Sequence, residues 1–421
     1  FGRVYARKQS SFSSVFDVAG VKAGQIIECD VSIPPSTREI FERAATKGGF
    51  FELPPVVGSQ YGAEFSISMP LHGMSASAPT SNFGLAHPEG DLLAAVLGGN
   101  SIFNFMPASQ GIQSGSSATA INVTDGDHVY FKAGGAVAAE VNASTGACDL
   151  SFIKSRDSSG DPDVINLALA LSGPPTVSKA VYGSNTIYLS KDATSAFSFL
   201  WQGQEANTQV LLNSCVPTSA TITIGPKNNF PTLEVTFVCN KISADNTDAA
   251  ALADFAFSFP VLPVPMASNS GRFVYATTSG GTGTTDLDVD SLTITMSQEI
   301  VPQLAHGAVG GVRDVLVTNR SVEVAFSGIM GASNPFNTTG APIFDIAGTN
   351  DAPKALMLQV GSPGNMFGMF MGSPVYMAPP EISDMGGVYG FSFVAKPGNY
   401  TGDTDDSLSS MPDTDFRLAF L

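Results

Sequence analysis

Histidine has the widest chemical range of the side chains in this sequence, and the chain contains four. They are His72, His87, His128 and His306, and no two are spaced like the ligands of a known metal motif. The chain has no Gly-x-Ser-x-Gly elbow and no Gly-x-x-x-x-Gly-Lys-Ser/Thr loop, and residues 280–283 lack the lysine that completes a phosphate cradle. The sequence therefore predicts no catalytic residue, no cofactor and no enzymatic activity.

Aspartates offer a second possible chemistry, because Asp286, Asp288 and Asp290 alternate like the start of a calcium-binding loop. Position six of that loop is Ser291 instead of glycine, and position twelve is Ser297 instead of glutamate. We therefore predict no metal site here and interpret the aspartates as the exposed side of a strand. An acidic loop at residues 403–406 could hold a cation adventitiously.

The charge balance argues against a protein that grips nucleic acid. The 421 residues include 20 Lys and Arg against 37 Asp and Glu, which gives a formal net charge of −17. Nucleic-acid binding depends on basic surfaces that neutralise phosphates. Two interpretations stay open: acidity that serves solubility, and an electronegative wall that keeps a polyanion from sticking.

Membrane insertion and disulfide chemistry are not indicated. The most apolar stretch, residues 250–267, is interrupted by Asp254 and three prolines, so we expect no membrane-spanning helix. The basic and polar opening residues are not expected to form a secretory leader. The four cysteines lie far apart and are expected to be reduced and buried, with Cys239 on the core face of a strand.

The elements that would carry any site are mostly strands. From residue 63 apolar and polar residues alternate, which predicts a half-buried strand, and a similar run covers residues 233–239. Proline, acids and a closing glycine predict a helix at residues 88–98. A cluster of Met and Phe near the C-terminus is interpreted as core or interface packing.

The fold class that follows is mainly β, and the similar strands at 64–69 and 291–296 are consistent with a duplicated barrel. We divide the chain into an N-terminal arm (1–24), a first β domain with an insertion (25–243), a linker (244–285) and a second β domain (286–421). The arm carries the apolar residues Phe1, Val4, Tyr5 and Phe12 without a period. We therefore predict that a neighbouring chain buries them as oligomer contacts.

Several short motifs occur along the chain in a characteristic order: GRVYARKQ at 2–9, the strand at 27–33, the strand at 63–69, LLAAVLG at 92–98, the strand with EIVP at 292–302 and SVEVAF at 321–326. Taken together, these motifs resemble the tail tube proteins of siphovirus-type bacteriophages. At residues 92–98 Ala-Ala-Val replaces the Arg-Ala-Cys portion of the "LLRACG"-like helix of that family. The resemblance implies β-barrel or β-sandwich domains with short flanking helices.

The resemblance implies a structural virion protein that stacks in trimeric or hexameric rings and conducts DNA without binding it specifically. It implies contacts with the tape measure, tail terminator and distal tail proteins, assembly in the host cytoplasm and a place in the virion tail. Glu64, Asp288 and Asp290 are candidates for the lumen wall. We predict two barrels per chain and therefore three chains per ring, whereas the competing arrangement, an insertion in a single tube domain, would give six.

Two alternatives from other classes remain. One is a capsid or baseplate protein of a phage. The other is a secreted β-sandwich protein, such as an adhesin or a glycan-active enzyme, although the single tryptophan, Trp201, offers little for stacking on sugars.

Overall fold

Short runs of β-branched and aromatic residues, divided by glycine and proline, favour a chain of many strands. The computed structural model describes the following residues: 3–22, 25–27, 29–32, 40–41, 56–57, 62–73, 88–98, 101–103, 111–191, 194–203, 209–225, 230–245, 264, 271–276, 284–308, 311–329, 355–377, 381–384, 387–400 and 414–421.

The described residues form 27 strands and two α-helices, α1 (Val18–Lys22) and α2 (Pro88–Leu97). The strands of the first half are β1 (Arg3–Lys8), β2 (Gln25–Ile27), β3 (Asp30–Val31), β4 (Ile40–Phe41), β5 (Val56–Val57), β6 (Ala63–Pro70), β7 (Ser101–Phe103), β8 (Ala120–Val123), β9 (Ala136–Asn142), β10 (Ala147–Asp157), β11 (Asp163–Leu167), β12 (Val181–Tyr182), β13 (Asn185–Tyr188) and β14 (Phe197–Gln202). The strands of the second half are β15 (Gln209–Ile224), β16 (Thr232–Cys239), β17 (Lys241–Asp245), β18 (Arg272–Ala276), β19 (Thr284–Asp286), β20 (Val289–Leu304), β21 (Val312–Ile329), β22 (Ala355–Ser362), β23 (Asn365–Gly372), β24 (Val375–Tyr376), β25 (Glu381–Asp384), β26 (Tyr389–Lys396) and β27 (Phe416–Phe420).

The largest sheet has 13 antiparallel strands and joins both halves of the chain. Its main path runs β2-β1-β14-β15-β20-β21-β26-β24, and β16 connects β15 to β6. The strand β15 is long enough to pair with β14 at its start and with β16 and β20 at its end. This sheet is called the large sheet below.

A seven-stranded sheet, in the order β19-β18-β22-β23-β27-β13-β7, packs against the large sheet. A five-stranded sheet, in the order β12-β9-β10-β11-β8, forms a third layer. Its strands all lie between β7 and β13, which pair directly with each other through Phe103 and Asn185. The five-stranded sheet is therefore an insertion between two neighbouring strands of the second layer.

The cores follow these layers. The main core combines inward residues of the large sheet, such as Phe65 and Ile294, with Leu356 and Phe367 of the seven-stranded sheet. The opposite face of the seven-stranded sheet packs against the inserted sheet, where the rings of Phe152 and Phe370 lie 5.2 Å apart. The seven-stranded sheet is thus buried on both faces, and this explains why almost every residue of β22 and β23 is buried.

The helix α2 closes one end of the main core. It ends at Leu97, and the next residue, Gly98, has a φ of +125° that is costly for other residues; the Gly98 amide donates to the Ala94 carbonyl at 2.9 Å. The Arg320 guanidinium in β21 donates from Nε to the Val96 carbonyl at 3.0 Å. A carbonyl at the helix end is thereby satisfied by a side chain of the large sheet.

The prediction of a mainly β fold is confirmed, and so are the strand near residue 63 and the helix near residue 88. None of the sheets formed by the described strands closes on itself into a barrel. The segment predicted as a linker contributes β18 and β19 to the seven-stranded sheet, and strands from both sides of it share the same sheets. The described strands therefore do not separate into two sheets at residues 244–285.

Methionine packing matches the interpretation made from the sequence where the structure describes it. Met366, Met369 and Met371 are fully buried in β23, whereas Met377 is 53% exposed. The fifth methionine of that cluster, Met385, lies outside the described residues.

Candidate functional site

The feature that stands out is one face of the large sheet. In the neighbouring strands β6, β16, β15, β20, β21 and β26, inward residues pack on the main core and the alternate residues point outward. The outward residues, called the open face, are Glu64, Ser66 and Ser68 in β6, Thr232, Glu234 and Thr236 in β16, Ser219, Thr221 and Thr223 in β15, Ser291, Thr293, Thr295 and Ser297 in β20, Ser321, Glu323, Ala325 and Ser327 in β21, and Ser392, Val394 and Lys396 in β26. All of them are partly or fully exposed.

Hydroxyl groups meet across neighbouring strands of the open face. Ser66 Oγ lies 3.0 Å from Thr236 Oγ1, and Ser297 Oγ lies 2.8 Å from Ser321 Oγ. Such pairs hold these short side chains close to the sheet. The serine and threonine positions of the open face are therefore low, uncharged and polar.

The charged groups of the open face are nearly all acidic. Glu64, Glu234 and Glu323 lie on three different strands, and Lys396 is the single base among the outward residues defined above. The Lys396 ammonium lies 3.6 Å from the Glu323 carboxylate, which neutralises it. A phosphate that approached this face would therefore find no cation without an acidic neighbour among the outward residues of the six described strands.

One of the three predicted lumen residues, Glu64, belongs to this face, and a second, Asp290, lies beside it. Glu64 is exposed on β6, and the Asp290 carboxylate accepts a 2.8 Å hydrogen bond from Ser327 Oγ, which also lies 2.6 Å from Ser291 Oγ. Asp288 is exposed where the chain enters β20. Its carbonyl packs against Gly328, at which an added Cβ would lie 2.0 Å from the carbonyl oxygen. This close approach fixes the position of Asp288 and Asp290 beside β21.

The predicted oligomer contacts lie elsewhere. Val4, Tyr5 and Phe12 are all buried within their own chain, since β1 pairs with β14 and Phe12 packs on Val216. The premise that only a neighbouring chain could bury them is wrong, because the apparent lack of period reflects a strand that is covered on both faces. Their role in oligomer contact stays a prediction, and Phe1 lies outside the described residues.

Two of the described histidines, His72 and His128, lie beside carboxylates of their own chain. His72 Nδ1 lies 2.5 Å from a carboxylate oxygen of Glu89, which links the end of β6 to the start of α2. His128 Nδ1 lies 2.7 Å from the buried carboxylate of Asp163 in the inserted sheet. His306 is exposed in the turn between β20 and β21, and His87 lies outside the described residues.

The Asp163 carboxylate holds a turn together. Besides His128, it accepts a hydrogen bond from the Gly126 amide at 2.7 Å. Burial raises the pKa of Asp163, but the hydrogen bonds from His128 and Gly126 outweigh it and leave that pKa below its ordinary value. Burial, above all, raises the pKa of the neighbouring Asp127. The pKa of Asp163 therefore lies below the ordinary value of an aspartate, and the pKa of Asp127 lies above it.

Neither thiols nor metal ligands provide a reactive centre in the part of the chain that the structure describes. All four cysteines are free, and burial together with nearby acids raises the pKa of Cys148 to about 11, which keeps it protonated. Within the described ranges, no three His, Cys, Asp or Glu side chains are grouped to hold a metal ion. The acidic loop at 403–406 and the glycine-rich segment at 280–283 lie outside those ranges.

The rows of serine and threonine on the open face were not predicted from the sequence, although the sequence contains a signal for them. In both Thr221-Ile222-Thr223 and Thr293-Ile294-Thr295, threonine alternates with a core isoleucine, and the two triplets pair directly across β15 and β20. Repeated threonine on the outward side of neighbouring strands was the available indication.

Comparison of the chain with models of known protein families and with curated proteins gives no match. The likeness to tail tube proteins therefore rests on the short motifs quoted above. Among the described helices, none is long and apolar enough to cross a membrane.

Proposed function

We propose that this protein is a structural subunit that polymerises into a phage tail tube, and that the open face of its large sheet lines the channel. The observation that carries the proposal is the composition of that face. It presents rows of serine and threonine with scattered carboxylates, and its single base, Lys396, lies beside Glu323.

The physical argument concerns DNA in transit. Each Lys or Arg that meets a phosphate releases counterions and adds to the affinity, so a basic wall would retain the DNA. Hydroxyls are neutral, and carboxylates such as Glu64 and Glu234 repel phosphates over about 10 Å at ordinary salt. A face of this composition lets DNA slide without holding it.

The layer order supports a channel on the open face. The seven-stranded sheet and the inserted five-stranded sheet lie on the opposite side of the large sheet, so they would point away from the channel. One large sheet with one insertion favours six chains per ring over three chains with duplicated barrels. In this arrangement the inserted sheet decorates the outside of the tube.

Electron microscopy of the purified protein over a range of concentrations tests the proposal. We expect rings or tubes with an open channel, and end-on views should have sixfold symmetry. A protein that stays monomeric at every concentration and salt would overturn the proposal, as would filaments without a channel.

A charge-reversal variant tests the assignment of the open face. Glu64→Lys, Glu234→Lys and Glu323→Lys together should leave tubes intact but make them retain DNA in a salt-dependent way. The matched control carries the same charge change on the inserted sheet, as Asp125→Lys, Asp157→Lys and Asp161→Lys. DNA labelled at one end should remain inside the first tubes only. Equal retention by both would show that the open face does not line the channel.

A further inference from the structure

We propose that Cys215 and Cys239 form a modification site, at which a peroxide oxidises this buried pair of thiols to a disulfide that ties β15 to β16. The two Sγ atoms lie 3.4 Å apart, and both residues are fully buried in the main core. All four cysteines of the chain are free thiols. The pair is defined by the structure alone, and only its biological setting rests on the proposed function.

The register of the strands sets the two cysteines opposite each other. The pairing of β15 with β16 reaches Val216 and Val238, and the same register continues into the pairing of β15 with β17. Cys215 therefore lies directly across from Cys239. Directly opposed residues of an antiparallel pair have Cα atoms about 4.5–5.5 Å apart, which is within the span that a disulfide bridges. Rotation about the two Cα–Cβ bonds brings the sulfurs together without a change of register.

The backbone before Cys215 is held in place by contacts with the N-terminal segment. Ser214 has a φ of +53°, which is costly for a residue other than glycine, and its Oγ donates to the Phe12 carbonyl at 2.7 Å. The Asn213 side chain accepts from the Phe16 amide at 3.3 Å and donates to the Phe16 carbonyl at 3.2 Å. These contacts fix the direction in which the Cys215 thiol leaves the strand, so the pair is preorganised for a bond.

The surroundings of the pair leave the two thiols each other as reaction partners. Phe197 lies opposite Cys215 across β14 and β15, and Phe237 lies two residues before Cys239 on the core face of β16. Burial, together with the hydrogen bond to Cys239, raises the pKa of Cys215 well above its ordinary value. The pair is therefore no reactive centre toward substrates, because a protonated, buried thiol attacks them poorly. A bond between the two sulfurs needs a small oxidant and no substrate.

The reaction balances with hydrogen peroxide as the oxidant. One thiol gives up its proton, and its thiolate attacks a peroxide oxygen, so that the O–O bond breaks and a sulfenic acid and hydroxide form. The hydroxide takes the released proton and becomes water. The second sulfur then attacks the sulfenic sulfur, the S–O bond breaks, and the departing hydroxide leaves with the second proton as water. Two thiols thus lose two electrons and two protons, and one peroxide becomes two water molecules.

The disulfide locks one flank of the open face. Among the described strands, β3 and β6 join the large sheet through β16, and β16 joins it through β15. The two cysteines are 24 residues apart, so the bond closes a loop that contains the whole β15–β16 hairpin. Such a cross-link restricts the unfolded chain and opposes separation of the two strands. The strands that carry Glu64 and Glu234 are thereby tied to the rest of the sheet.

The proposed function gives this bond a setting. Thiols are kept reduced in a cytoplasm, whereas disulfides persist in oxidising surroundings outside the cell. A tail tube subunit folds and assembles in the first environment and acts in the second. The pair is therefore open during assembly and closes after release, when the sheet no longer has to rearrange.

Peptide mass spectrometry of the wild-type protein tests the pair directly. The native full chain is held with hydrogen peroxide at about pH 8.5, where more of the thiol is ionised, and is then alkylated and digested without reduction. We expect two of the four thiols to be lost and a linked peptide that contains Cys215 and Cys239. Four surviving thiols, a different pairing, or a sulfinic acid at either residue in place of the link would overturn the proposal.

Two alanine variants test the effect on stability. Cys239→Ala removes one member of the pair, whereas the control, Cys148→Ala, removes another buried thiol and keeps the pair. Peroxide should raise the midpoint of thermal unfolding by about 3–6 °C in the wild type and in the control, and should leave it unchanged in Cys239→Ala. A reducing agent should reverse the rise. Equal shifts in both variants would overturn the proposed lock.

The two proposals fail separately in these experiments. A protein that forms the link between Cys215 and Cys239 but never assembles into tubes would support the modification site and overturn the proposed function. Tubes whose four thiols survive peroxide would overturn the modification site and leave the proposed function standing. The wild-type measurement does not depend on the folding of either variant.

Discussion

The seven-stranded sheet and the six strands of the open face share the same backbone geometry but differ in how many faces are covered. In β22 and β23, which are covered on both faces, nearly all residues are buried and the sequence is a run of Met, Phe, Leu and Gly. In β6 and β16 a buried residue alternates with an exposed Ser, Thr or Glu. The covered sheet thus provides stability, and the free face of the large sheet is left for function.

Polar groups also differ between the covered sheet and the open face. On the covered sheet Gln359 is fully buried, and its Nε2 donates to the Cys148 carbonyl while its Oε1 accepts from the Leu150 amide, both at 2.6 Å. It thereby joins the seven-stranded sheet to the inserted sheet. On the open face, hydroxyls such as Ser297 and Ser321 bond to each other in contact with water. Polar groups are structural in the first setting and replaceable in the second.

Replacement of a buried ring gives the largest expected effect on stability. Phe370 packs on Phe152, and the Arg417 guanidinium lies 5.2 Å from its ring centre. Phe370→Ala should lower the free energy of unfolding by about 3–5 kcal/mol in urea denaturation. The control, Phe230→Ala, removes the same atoms at a position that is 43% exposed. It should change the free energy of unfolding by less than about 0.5 kcal/mol. Similar losses in both would contradict the division into a stabilising and a free region.

The inserted sheet covers one face of the seven-stranded sheet, and its acidic turn gives the next effect. Asp163→Asn should cost about 1–3 kcal/mol at pH 7, because the buried negative charge that strengthens the hydrogen bonds from His128 and Gly126 is lost. A folded pKa below the ordinary value means that the stabilisation is present above that value and disappears as pH falls through the folded pKa. The difference between wild type and Asp163→Asn should therefore vanish in acid.

The neighbouring carboxylate supplies the control for this pH dependence. Burial raises the pKa of Asp127, so its stabilising contribution is present at low pH and is lost as pH rises through the folded pKa. Asp127→Asn should therefore be less harmful at pH 7 than Asp163→Asn. The free energy of unfolding of each variant is measured from pH 3 to pH 7. If it changed with pH in the same way for both, the opposite pKa shifts of Asp163 and Asp127 would be refuted.

The sequence predicted the strand whose two faces differ and the helix whose ends carry clear signals. The strand near residue 63 and the helix near residue 88 were found because alternation and end signals mark a half-exposed strand and a capped helix. In β1 the consecutive residues Val4, Tyr5 and Ala6 are all buried, so no period was visible and the segment was interpreted as an arm. Coverage on both faces removes the pattern that sequence analysis reads.

Strand partners could not be predicted because they are remote in the chain. The strand β6 pairs with β16, and Ser66 meets Thr236 across 170 residues. Glu64 and Asp290 are predicted as lumen residues because they are isolated acids, and that role stays a prediction; Glu64 lies on the open face and Asp290 beside it. The hydroxyl rows of this face become visible only once the strands are paired. Charge can be counted in a sequence, whereas a surface requires the sheet register.

The smallest expected effect concerns two hydroxyls of the open face. Ser297→Ala with Ser321→Ala removes both members of a cross-strand pair that lie 2.8 Å apart. Since both groups are on the surface and water can replace their mutual bond, the free energy of unfolding should change by less than about 0.5 kcal/mol.

Ile294→Ala is the matched comparison, because Ile294 lies three residues before Ser297 in the same strand and points into the main core. It should cost about 2–5 kcal/mol, since it leaves a cavity among packed side chains. If the hydroxyl pair instead proved as costly as the isoleucine, the open face would contribute to the stability of the sheet, and its Ser and Thr content would need no functional explanation. A negligible change in the free energy of unfolding would show that these hydroxyls do not stabilise the sheet, as the proposed channel lining requires.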